Sequence, residues 1–138
     1  MYTFFEIYDI LFKKGGLFMT KILLNEIVID YMNRVKMTIP TYGVKSFADK
    51  CGLSRAFLYK LIDGQYGNNF SDKVIESISN TIGIKKEILI KILESDNGKE
   101  LYYQRLRLLK AFDEIIARAD NAELEVYLSL MQSIENKL

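Results

Sequence analysis

The chain has 138 residues, of which 49% are apolar and 27% charged, and its formal net charge is +1 at pH 7. That length fits one domain, or a small domain with an appendage, and the apolar content argues against intrinsic disorder. Histidine is absent and Cys51 is the single cysteine, which excludes a zinc finger and an internal disulfide. We expect Cys51 to be a small buried residue. We expect neither a cofactor nor an enzyme, because no glycine-rich phosphate loop follows a strand.

Residues 1–19 form an apolar and aromatic leader that two acidic residues interrupt early. Its two lysines follow the apolar run, which is the wrong order for a secretory signal, and the run is shorter than the roughly 20 residues that span a bilayer. We therefore expect a cytoplasmic protein without membrane attachment. Two interpretations of the leader stay open. It is an amphipathic helix over 4–12, or translation starts at Met19 because codons 13–16 can encode a ribosome-binding site.

Residues 20–94 carry apolar side chains at helical spacing in five successive segments. The first segment ends before Pro40, because the residue before a proline avoids the α region. Ser71 is a typical cap of the fourth segment, and Gly83 ends it. A polar loop is expected over 65–70. The predicted helices span residues 20–37, 44–51, 54–62, 71–81 and 85–93.

Residues 44–62 form the most informative motif, two short helices joined by a tight turn. Ala48 is small enough to let two helices cross closely, and it lies four positions before Gly52, which accepts the positive φ of the turn. Ser54 is expected to cap the second helix. The side of that helix that returns to the crossing carries Leu58 and Leu61.

The charges are unevenly distributed along the chain. Residues 34–73 carry seven cations and three anions, whereas residues 111–138 carry two cations and six anions. A polyanion is attracted to the first region and repelled by the second. The alternative is chance clustering on a solvated surface.

A domain boundary is expected at residues 95–98, before a C-terminal helical hairpin over 99–138. Apolar residues recur there at heptad spacing, and the hairpin has too little mass to cover its own apolar stripes. We expect it to dock on the first domain, on a second copy, or on both, and we predict a homodimer. The predicted dimerisation residues are Leu101, Leu108, Ile115, Leu124, Leu128 and Met131.

The residues from Ala48 to Arg55, followed by Leu58, Leu61 and Gly64, resemble the helix-turn-helix of lambda repressor-like (Cro and Xre-type) regulators. The resemblance covers residues 20–94. It implies an all-α fold in which a five-helix helix-turn-helix domain, commonly dimeric, binds double-stranded operator DNA. The chain departs from the family in two places. Only Lys45 can replace the usual phosphate-binding glutamine, and the loop after Gly64 lacks basic residues.

In such a domain the second motif helix enters the major groove and its first residues meet base edges. Arg55 can donate two hydrogen bonds to a guanine, worth about 1–3 kcal/mol of discrimination. Ala56 and Phe57 can contact a thymine methyl, although partial packing is the alternative for Phe57. Polar residues nearby are expected to contact phosphates. The predicted interface comprises Lys45, Ser54, Arg55, Ala56, Phe57, Tyr59, Lys60, Asn68, Asn69 and Ser71.

These features predict a sequence-specific transcriptional regulator, a repressor of a bacterial operon or of a phage or plasmid. Two alternatives stay open. The motif can serve a protein-interaction adaptor or antirepressor, or the chain can be the DNA-binding antitoxin of a plasmid-maintenance pair. The basic excess around the motif argues against the first alternative.

Overall fold

The computed structural model describes residues 20–137, and the leader with both of its interpretations lies outside them. Within this range the protein is all-α, as predicted, with seven helices and no strand. None of these helices combines the length and the apolar character needed to cross a membrane. The helices are α1 Leu24–Thr38, α2 Val44–Cys51, α3 Arg55–Ile62, α4 Asp72–Ile82, α5 Lys86–Glu94, α6 Gly98–Arg118 and α7 Asn121–Glu135.

The contacts within the chain separate two compact units. Unit 1 comprises the described residues up to Leu101, and unit 2 runs from Tyr102 to residue 137. The division falls inside α6, a few residues after the predicted boundary at 95–98. Gly98 begins this helix, where a Cβ atom would collide with the carbonyl oxygen of Ile92 and lie 3.0 Å from Ile22 Cγ2. Glycine is therefore required there by close approach of the backbone.

Helix α1 begins at Leu24, later than the predicted start at residue 20. Leu23 is extended, and its N–H donates to the Glu26 carboxylate at 2.9 Å. The helix ends as predicted before Pro40, with Ile39 in an extended conformation. At this start the Leu24 N–H donates to Asn68, which lies far along the chain, and no local pattern signals that contact.

The motif helices α2 and α3 are joined by Gly52, Leu53 and Ser54. Gly52 has a φ of +71°, the left-handed conformation predicted for the turn, and the Leu53 N–H donates to the Ala48 carbonyl at 3.2 Å. The turn thereby satisfies a carbonyl group that the end of α2 would otherwise leave without a partner.

The core of unit 1 forms where α3 packs against α1 and α2, and where α4 packs against α2 and α5. Ala48 is buried at the meeting of α2 and α3, as its small size predicts. Cys51 is buried too, and its Sγ donates to Thr81 Oγ1 at 3.1 Å. Burial raises the pKa of the Cys51 thiol, so the residue is a neutral packing group, as predicted. The largest fully buried apolar side chains of the unit are Ile22, Leu24, Ile27, Phe47, Leu58, Leu61, Ile78 and Leu89.

Unit 2 consists of the part of α6 that follows Leu101 and of the whole of α7. Two residues join these helices. Asp120 caps α7, because its carboxylate accepts from the Glu123 N–H at 2.8 Å. The two helices line one groove with apolar side chains. Among the described residues of unit 2 only Tyr102 is buried. Most of the apolar side chains of this unit are therefore in contact with solvent.

Candidate nucleic-acid interface

Helix α3 presents two different faces. Leu58 and Leu61 are fully buried, whereas the polar and basic residues at helical spacing on the other side are exposed. Tyr59 exposes 57% of its surface. Residues four positions apart lie above one another on a helix, so Arg55 with Tyr59 and Ala56 with Lys60 form two adjoining rows of one outward surface. We call it the α3 surface; it comprises Arg55, Ala56, Tyr59 and Lys60.

The start of α3 is fixed by the cap predicted from the sequence. Ser54 is extended, and its Oγ accepts from the Phe57 N–H at 3.1 Å. Ser54 is exposed, so its hydroxyl hydrogen stays available to a phosphate. The cap holds the first turn of the helix, and with it Arg55, in a defined position.

The basic residues around the α3 surface differ in how they are neutralised. Arg34 is paired with Asp30 at 2.9 Å and lies over the Tyr31 ring, so its charge is largely compensated. By contrast, no ion pair within residues 20–137 engages Lys45, Arg55 or Lys60, and all three side chains are exposed. Their charge is therefore available to an anionic partner.

Phe57 is not free to read bases as the sequence analysis allowed. Its ring stacks on Tyr66 at 5.2 Å between centroids and meets Phe70 edge-on at 6.4 Å. Tyr66 and Phe70 also contact each other at 5.9 Å. The loop over 65–70, predicted to be simply polar, thus contributes two rings to an aromatic cluster. Phe57 anchors this loop to α3, which is the packing alternative already considered for it.

The expected phosphate contact of Asn68 also needs correction. Its Oδ1 accepts from the Leu24 N–H at 2.8 Å, and its Nδ2 donates to the Ile22 carbonyl at 3.0 Å. Both ends of the amide group hold the segment that leads into α1, so Asn68 is removed from the candidate interface. Its neighbour Asn69 is exposed and stays a candidate phosphate contact.

Ser71 occupies the predicted cap position of α4. Its Oγ accepts from the Val74 N–H at 3.4 Å, and the residue is exposed. Asp72 follows in the first turn and lies 3.8 Å from the Lys86 ammonium group. A carboxylate at this helix start competes with phosphate for the positive end of the helix dipole. Ser71 is therefore a weaker candidate for a phosphate contact than Lys45.

The structure places the predicted dimerisation residues in two settings. Leu101 is half-buried at the end of unit 1, and Leu108 exposes 63% of its surface. The other four line the groove of unit 2: Ile115, Leu124, Leu128 and Met131. The groove also contains Ile116, which recurs at heptad spacing with Tyr102 and Leu109, and two residues that the spacing missed, Phe112 and Tyr127. A helical projection that spans both helices would have found Phe112 and Tyr127.

Residues 20–137 contain no group of three or more acidic or cysteine side chains that could hold a metal ion. Comparisons with protein-family models, with curated proteins and with solved structures find no match to this chain.

Proposed function

We propose that the protein is a sequence-specific DNA-binding transcriptional regulator that inserts α3 into the major groove of double-stranded DNA. One observation carries the proposal: α3 buries its leucines completely and turns Arg55 and Lys60, both without an ion-pair partner in residues 20–137, toward solvent. A short, capped, basic helix on a packed support has the form that fits a major groove.

Each residue of the α3 surface has a role that follows from its chemistry. Arg55, in the first turn, donates two hydrogen bonds to the O6 and N7 atoms of a guanine. Ala56 makes room for a thymine methyl group. Lys60, one turn further on, reaches a second base or a phosphate. Tyr59 and Lys45 bind phosphates, which fixes the orientation of α3 but carries no sequence information.

Helices α1–α5 would then form a helix-turn-helix domain, with α2 and α3 as its motif. All six anions of residues 111–138 lie in unit 2, whereas the basic excess of residues 34–73 lies in unit 1. One recognition helix contacts only a few base pairs, so a long operator requires two copies of the chain and two half-sites. Repression follows where such an operator overlaps a promoter.

The experiment is selection of preferred sequences from a pool of random duplexes, with the full chain and with Arg55→Ala. The variant should lose the preference at one base pair per half-site, about 10-fold or more in affinity, and keep the weak binding to random DNA. The matched control is Arg118→Ala, an exposed arginine of unit 2, which should keep the whole preference. An unchanged preference in Arg55→Ala would contradict the groove assignment.

A further inference from the structure

Unit 2 leaves many of its large apolar side chains exposed to solvent. Eleven large apolar side chains of this unit each expose between 37% and 63% of their surface. With about 180 Å² for each side chain, they present roughly 1,000 Å². The largest patch of a typical monomer is about 300–600 Å². A standard protein interface buries about 800 Å² on each partner.

This surface surrounds the groove and also extends beyond it. Phe112, Ile115 and Ile116 of α6 line the groove together with four residues of α7, among them Leu128. Other apolar side chains lie on further sides of the two helices, including Val126 and Leu130 of α7. Apolar residues thus cover about half of the circumference of each helix, and one neighbouring helix covers a narrower stripe than that.

The charges of unit 2 are separated along its length. We define the tip as residues 113–125, around the link between α6 and α7, and the open end as residues 102–110 with 135–137. The tip carries five anions and one cation, Arg118. The open end carries four cations and one anion, Glu135. The helix pair therefore has a negative tip and a positive open end.

We propose that two copies of the chain associate through unit 2 as an antiparallel four-helix bundle, in which the tip of each helix pair lies against the open end of the other. A two-fold axis perpendicular to the helices brings the same surface of both copies together. It also sets the negative tip against the positive open end at both ends of the bundle. The arrangement with the two tips together would set five anions against five anions, which costs free energy.

The proposal is independent of DNA binding, because it depends only on unit 2. The segment of α6 in unit 2, from Tyr102 to Arg118, is about 25 Å long at 1.5 Å per residue. In the antiparallel bundle the two Tyr102 residues, each of which directly follows unit 1 in its own chain, lie at opposite ends of that length.

The first experiment is sedimentation equilibrium of the full chain at micromolar concentration. A mass twice the 16.0 kDa of the chain is expected. A version that begins at Met19 should be a dimer too. A monomeric full chain, or a higher oligomer, would overturn the proposal. Loss of the dimer in the shortened version would do so as well, because association would then require the leader and not unit 2 alone.

The second experiment measures the orientation of the two copies. A spin label is attached through Asn121→Cys, at the tip, in a chain that also carries Cys51→Ser. The antiparallel bundle predicts a distance between the two labels of about 25 Å or more, the length of the helix pair. A distance below about 15 Å would place the tips together and contradict the proposal. The Cys51→Ser chain alone, treated with the same label, is the control and should give no signal.

The third experiment reverses charges at exposed positions and leaves the apolar surface intact. Glu123→Lys with Glu125→Lys removes the net charge of the tip, and Arg105→Glu with Lys110→Glu makes the open end negative. Each double variant should dimerise with itself about 10-fold more weakly. A mixture of the two, in which one unchanged tip again meets an unchanged open end, should associate more tightly than either variant with itself. Far-UV circular dichroism verifies that both variants keep their helices. An unchanged or tighter dimer of either variant with itself would overturn the proposal, and it would also expose a dimer formed through unit 1.

Discussion

Unit 1 and unit 2 both carry apolar residues at helical spacing, but these residues are buried in unit 1 and largely exposed in unit 2. In unit 1 the apolar residues at helical spacing are buried, as Phe47 and Leu58 illustrate. In unit 2 the equivalent residues of α6 and α7 line an open groove or face solvent. An amphipathic pattern therefore predicts that a helix forms, but the surface that covers its apolar face depends on the mass of the neighbouring elements. Unit 1 has that mass within itself, whereas the two helices of unit 2 leave most of their apolar side chains exposed.

The largest expected effect compares one phenylalanine in each unit. Phe47→Ala removes a fully buried ring and should lower the free energy of unfolding of unit 1 by about 3–5 kcal/mol. Phe112→Ala removes a ring that is 43% exposed and should leave unit 1 unchanged while weakening association of unit 2. Amide hydrogen exchange, read separately for peptides of each unit, measures both. Equal losses of protection in unit 1 would show that the units do not differ as described.

A smaller effect is expected at the loop that holds α1. Asn68→Ala leaves the Leu24 N–H and the Ile22 carbonyl without their partner, and should lower the free energy of unfolding of unit 1 by about 2 kcal/mol. Asn69→Ala, at the exposed neighbour, should change it by less than about 0.5 kcal/mol. Urea unfolding followed by circular dichroism compares them. Equal stability of the two variants would refute a structural role for Asn68.

The local features of unit 1 were predictable because local chemistry determines them. Gly52 at the turn, Ser54 at the cap and the end of α1 before Pro40 each depend on residues a few positions away. The features that the sequence concealed depend on distant partners. Asn68 bonds to residues more than forty positions earlier, which no window of local sequence contains.

The candidate interface also combines features that local sequence predicts with features that depend on distant residues. The outward position of Arg55 and Lys60 follows from the helical period once Leu58 and Leu61 are taken as buried. Phe57 could not be assigned in this way, because its neighbours Tyr66 and Phe70 come from a loop whose path the period does not predict. The one feature of the sequence that could have indicated the packing of Phe57 is the presence of two aromatic residues, Tyr66 and Phe70, in this otherwise polar loop.

The smallest effect concerns the Tyr42 hydroxyl, which is buried without a hydrogen-bond partner among the described residues. Tyr42→Phe should therefore stabilise unit 1 slightly at pH 7, by about 0.5–1 kcal/mol. Burial, followed by the proximity of Tyr31 and then of Cys51, raises the pKa of Tyr42 to about 12 from 10.0. Above pH 10 the unfolded chain releases this proton before the folded chain does, so the stability of the original chain falls as the pH rises toward 12.

Urea unfolding between pH 8 and pH 11 provides the test. The stability advantage of Tyr42→Phe should grow over that range, because the variant has no phenol to ionise. Tyr59→Phe, at an exposed position, is the control and should follow the original chain. A Tyr42→Phe variant that loses stability as steeply as the original chain would contradict the assigned cause.

Binding of the full chain to a duplex of random sequence, measured against salt concentration from dilute buffer upward, tests the central claim most directly. The α3 surface and Lys45 predict measurable binding in dilute buffer, with a logarithmic salt slope of about −2 to −3 for each copy. Lys45→Ala should make that slope shallower by about one. The absence of any binding in dilute buffer, with the protein folded, would contradict the claim that α3 contacts DNA.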